Sequence, residues 1–147
     1  MKAVWTTIGL LLVTCAITAC AAQVRSPEPV PLDRVECARC SMLISSDAGG
    51  GQIVSSHDET RFYDDLGCLA ADWAAHHDSA TAFVRIAGGG WREARDASYA
   101  RPAGLSTAMG SGIAAFATIA EARAADPDQR ALTFDELWRS LESADDR

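Results

Sequence analysis

The chain has 147 residues, 48% of them hydrophobic and 22% charged, which suits one domain or two very small ones with a real core and rules out a disordered body. Its formal net charge of −7 argues against nucleic-acid binding, which requires a basic face. No P-loop, H-E-x-x-H, dinucleotide fingerprint or Ser-His-Asp order is present.

The N-terminus reads as a targeting segment. Lys2 supplies a short positive region and Ala3 to Ala16 an apolar one, too short for the roughly 20 residues that span a bilayer. Ile17-Thr18-Ala19-Cys20 matches a bacterial lipobox, so residues 1–19 are expected to be a lipoprotein signal peptide and Cys20 the lipidated residue. The alternative is an ordinary signal peptide with a chance cysteine. Residues 20–32, with three prolines between Gln23 and Pro31, are expected to form a flexible linker. The remaining domain, 33–147, would then sit in the cell envelope, tethered by lipid and facing the periplasm or extracytoplasmic space.

Val35 to Ile44 is expected to be a first strand, and Ser45 to Gly51 a turn. Gln52 to Ser56 reads as a second strand. Asp64 or Asp65 is placed to cap a helix whose Leu66, Leu69, Ala70 and Trp73 form one apolar stripe. Thr81 to Ile86 alternates as a strand and Gly88-Gly89-Gly90 breaks it. Trp91 to Ala94, Ala97 to Ala100 and Ile113 to Ala117 are further short strands. Thr118 with Glu121, and Thr133 with Glu136, carry the capping-box spacing for two more helices. Two rounds of paired strands followed by a helix predict an α+β fold.

Chemistry concentrates in Cys37-Ala38-Arg39-Cys40-Ser41-Met42. On an extended strand Cys40 and Met42 would share a face, and a thiolate beside a thioether suits Cu(I) far better than Mg²⁺ or Ca²⁺. C-x-x-C spacing is also shared by zinc half-sites and redox motifs. With Cys15 in the signal and Cys20 lipidated, Cys37, Cys40 and Cys68 remain, an odd number for an oxidising compartment, so at least one is unpaired or on a metal. A Cys37–Cys40 disulfide is the competing state. Met109, in a Gly-rich loop, is a further candidate ligand. His57 is a minor one, while His76 and His77, about 100° apart on a helix, cannot face one ion. Cys68 is read as a small buried hydrophobe and Asp64 and Asp65 as caps rather than ligands.

Four stretches in order resemble the NosL family of copper-binding lipoproteins, accessory factors of nitrous oxide reductase. They are Cys37-x-x-Cys40-x-Met42, Phe62 to Leu69, Thr107 to Phe116 and Thr133 to Leu137. The chain departs from the usual family pattern at Ser41, where glycine is common, and at Ala108, where proline is. The resemblance implies two small similar ββαβ-type halves, roughly 33–88 and 89–147, with a C-terminal helix. It also implies Cu(I) as the ion, held by Cys40 and Met42, with Met109 next and Cys37 either a ligand or a regulatory thiol. The implied partners are a copper-donating or copper-accepting protein of the nitrous oxide reductase assembly machinery and an ABC-type membrane complex, with homodimerisation left open. No enzyme activity is implied. Two rival readings are an extracytoplasmic thiol–disulfide oxidoreductase using Cys37 and Cys40, and a structural lipoprotein without metal.

Overall fold

The computed structural model describes residues 25–57, 59–77, 80–128 and 130–145. The signal peptide and the Cys20 lipidation site lie outside the described residues.

Strands β1 (Gly51–Ser55), β2 (Arg61–Tyr63), β3 (Ala80–Arg85) and β4 (Trp91–Glu93) form an antiparallel sheet in the order β2-β1-β3-β4. Helix α1 (Leu66–Trp73) links β2 to β3. Its predicted stripe is the buried face: Leu66, Leu69, Ala70 and Trp73 are all inside the core. The helix passes so close over β1 that a Cβ on Gly51 would stand 2.3 Å from the Leu69 side chain. Gly51, expected in the turn, therefore belongs to the central strand, where its missing side chain is what lets helix and sheet meet.

A second, smaller sheet pairs β5 (Ser98–Ala100) with β6 (Ala114–Phe116), followed by α2 (Ile119–Ala125) and α3 (Phe134–Asp145). In the first unit β1 lies between β2 and β3, with α1 connecting them. In the second, β5 lies between β6 and an antiparallel bridge at Leu132, with α2 connecting those. The two ββαβ paths are the same, which makes the chain an α+β fold of two similar units. A parallel bridge from Ile86 to Ala115 ties one sheet to the other. The first sheet also takes β4 from beyond residue 88, so its hydrogen bonds cross the expected boundary between halves.

Both predicted capping boxes form: Thr118 with Glu121, and Thr133 with Glu136. Phe134 and Leu137 of α3 enter the main core, where the Phe134 ring meets Trp73 edge-on at 5.5 Å and Tyr99 at 5.8 Å. The segment from Arg25 onward, expected as linker, is hydrogen-bonded to the sheet. Buried Gln52 accepts from Glu28 N–H at 2.8 Å and donates to Glu28 O at 2.9 Å, its amide mimicking a backbone partner. Among the described residues no helix is long and apolar enough to cross a membrane.

Candidate metal centre

The expected first strand over 35–44 is instead a tight reversal. Glu36 bridges Leu43 across it, Cys37 N–H donates to Met42 O at 2.8 Å, and Ser41 N–H donates to Cys37 O at 2.9 Å. Ser41 closes the loop with φ of +59°, a left-handed conformation that costs an L-residue about 1 kcal/mol or more. Alternating faces therefore do not apply, and the argument that put Cys40 and Met42 on one side of a strand falls. The turn does something else. Ala38 N–H donates to Phe62 O, which fastens the Cys37–Cys40 loop beside the end of β2 and the start of α1.

That docking brings four donors together. Cys37, Cys40, Cys68 and Asp64 each contribute one atom, a sulfur or a carboxylate oxygen, and all lie within 4.8 Å of one another. The Cys40 thiol points at Asp64 Oδ1, 3.8 Å away. All three cysteines are free thiols. Cys37 and Cys68 are buried, whereas Cys40 and Asp64 are half-exposed, so the cluster has an inner wall and an open side. Cys68 is indeed buried in the core, but its sulfur also faces the cluster, a role its helical position did not disclose.

Electrostatics keep the inner thiols protonated while no cation is near. Burial pushes the Cys37 thiol up, against the pull of the Cys40, Arg39 and Asp64 backbone N–H groups. Burial does the same to Cys68, reinforced by the neighbouring Cys37 and Cys40. A soft cation supplies the charge that burial withholds, releasing protons as it binds. Such raised thiols are the reverse of the depressed one a thiol–disulfide oxidoreductase uses.

The two neighbouring aspartates divide their work. Asp65, fully buried, is the N-cap of α1 through Gly67 N–H at 2.6 Å. Its other oxygen accepts from Thr107 Oγ1 at 2.7 Å and Met109 N–H at 2.9 Å, pegging the Thr107–Gly112 loop to the helix start. Burial alone would raise its carboxyl, but the hydrogen bonds from Ser111, Thr107, Met109 and Gly67 outweigh that and hold it below its ordinary value. The fit is close, since a Cβ on Gly67 would lie 2.8 Å from Ser111 Cβ. Asp64 is not a cap. It turns to Cys40, so of the two aspartates offered as the cap Asp65 takes that role, and Asp64, read as a cap rather than a ligand, joins the cluster.

The methionines are on the surface. Met42 is 45% exposed and Met109 51%, so neither is core packing. Met42 and Asp64 line one open cleft of about 650 Å³ together with Leu43, Leu105, Thr107 and Ala108. The cleft thus runs from the exposed thioether of Met42 to the carboxylate of the thiol cluster. Among the described residues no histidine joins the cluster, His57 included: His76 pairs with Asp72 at 3.7 Å, and His77 stacks on Trp138.

Fold and site together define a small α+β protein with a buried, thiol-rich cluster suited to a soft metal ion. Among solved structures, the copper chaperone NosL from Shewanella denitrificans is similar in fold, with a TM-score of 0.64 at 19% identity over 77% of this chain and 96% of that one. The chain thus has a NosL-like fold. No family model and no curated protein sequence matches it.

Proposed function

We propose that this protein is a lipid-anchored Cu(I) carrier of the cell envelope, with the ion held by the sulfurs of Cys37, Cys40 and Cys68. The observation that carries the reading is the gathering of three free thiols and a carboxylate within 4.8 Å. Ligands about 2.3 Å from an ion stand about 4 Å apart in a trigonal arrangement, so shifts well under 1 Å complete the site. Cu(I) accepts two or three soft donors without strong angular demands, which allows both holding and release. Cys40, half-exposed, is the natural point of entry and exit, and the thioethers of Met42 and Met109 offer soft contacts at the surface for the ion in transit. Transfer between sulfur ligands of two proteins needs no catalytic base. The fold likeness to a copper chaperone supports this assignment. The resemblance of its sequence motifs to the NosL family supports as acceptor a copper protein such as nitrous oxide reductase, with an ABC-type membrane complex as partner.

Anaerobic titration of the reduced full-length chain in detergent, against a chromophoric Cu(I) chelator, tests the reading. One ion per chain is expected, with affinity falling at least a hundredfold in Cys37→Ser and Cys40→Ser and less in Met42→Ala and Met109→Ala. Absence of Cu(I) binding, or retention of full affinity in both cysteine variants, overturns it.

A further inference from the structure

We propose that residues 25–33 are a strap that orients the domain on its membrane, holding the Ser55 and Ala80 end of the first sheet against the bilayer and turning the cleft to the aqueous side. The inference rests on the lipid-anchored reading of Cys20, but not on any metal being bound. The pairing of β1 with β3 puts Gln52, Val54, Thr81 and Phe83 on one face of the sheet, while α1 packs on Gly51 of the other. The strap runs along the face opposite α1. Arg25 Nη1 donates to Thr81 Oγ1 at 3.3 Å, Gln52 exchanges two hydrogen bonds with the Glu28 backbone, and Thr60 Oγ1 donates to the Glu28 carboxylate. Further on, Asp33 N–H donates to Ile44 O at 2.8 Å, fastening the strap to the end of the cysteine-bearing reversal. Lifting it would strand the amide of Gln52, which is fully buried.

The chain therefore enters the fold at one end of the sheet, and the cleft opens at the other. Tyr63, just before Asp64, pairs with Gly51 at that other end, and Arg85, the last residue of β3, begins the stretch to Gly89 that lines the cleft. Only Ala21 to Val24 separate Cys20 from the docked Arg25, five steps that reach at most about 18 Å. The six residues of β3 alone are about 17 Å long. Facing the cleft to the bilayer would lift Arg25 by at least that length and consume the whole reach of the tether. With the Arg25 end down, the tether is slack. Were residues 20–32 free, their reach would be about 40 Å and either end could turn to the membrane.

Energy transfer in vesicles of phosphatidylethanolamine and phosphatidylglycerol tests this. The full chain is matured in a lipidating bacterial host, with a donor fluorophore on a non-natural residue in place of Ser56, beside the Arg25 end, or of Ala48, on the cleft rim. The acceptor is carried on lipid headgroups. Transfer is expected to be roughly twofold stronger from position 56 than from position 48, and the two to converge when a flexible Gly/Ser stretch of about ten residues is inserted between Val24 and Arg25. Equal transfer from the two positions, stronger transfer from position 48, or a difference that survives the insertion overturns the proposal. A chain that does not float with the vesicles overturns the lipid anchor and the orientation together, whereas one that floats without bias overturns the orientation alone.

Discussion

Cys68 carries the largest difference between what its sequence position suggests and where its side chain goes. It sits between Gly67 and Leu69 on an apolar helix, and nothing in that pattern separates a packed thiol from a ligand. Only the docking of the Cys37–Cys40 loop over the start of α1 places a second and third sulfur beside it. Cys68→Ser is expected to lower Cu(I) affinity at least tenfold while changing stability by less than about 2 kcal/mol, since the swap is nearly isosteric. A chelator titration beside a urea unfolding curve separates the two effects. A different group, Asp72, reports on acid stability. Burial would raise its carboxyl, but the hydroxyl of Tyr63 at 2.6 Å and the guanidinium of Arg61 at 2.9 Å bring it below the ordinary value. A depressed carboxyl contributes stability that is complete above its unfolded value of about 3.9 and is lost as pH falls through the folded one. Asp72→Asn should therefore lower the unfolding midpoint at pH 7 and narrow the gap to wild type as pH drops below about 4, read by urea melts across that range.

The elements were legible to different degrees, for reasons visible in their caps and turns. Helices α1, α2 and α3 announced themselves through Asp65, the Thr118–Glu121 and Thr133–Glu136 boxes and apolar stripes at helical spacing, because those signals are local. The Cys37–Met42 reversal did not, since its closure depends on Ser41 adopting a left-handed conformation that no residue type there advertises. Its reading as a strand was the natural consequence of a short run with β-compatible residues. The methionine-bearing loop was recognised by its glycines, but its anchor was not: Asp65 lies more than forty residues away and looked like a cap alone. Asp65→Ala removes both jobs at once. It should cost about 1–3 kcal/mol, more than the roughly 1 kcal/mol of a lost N-cap such as Thr118→Ala, because the Thr107 hydroxyl and Met109 N–H of the loop also lose their acceptor. Amide hydrogen exchange at Met109 should rise sharply in Asp65→Ala and stay unchanged in Thr118→Ala.

At the scale of the molecule, a bridge ties the two ββαβ units together, and the thiol cluster belongs to the first of them. The link between β2 and α1, the first turn of α1 and the reversal before β1 supply the four donors, while the second unit contributes the Thr107–Gly112 loop that flanks the cleft. Paired strands followed by helices gave the α+β class, but the Ile86–Ala115 bridge that joins the units and the Tyr99–Leu132 bridge that completes the second are single-residue contacts too short to leave a pattern. The fold places a buried thiol pair, its protons held by burial, behind a half-exposed cysteine, an arrangement compatible with sheltering a soft ion. The most direct measurement is copper-edge X-ray absorption on the anaerobic Cu(I)-loaded full-length chain, wild type beside Cys68→Ser. Three sulfur neighbours in the wild type and two in Cys68→Ser are predicted; a sulfur count that does not change when Cys68 is replaced would contradict the account.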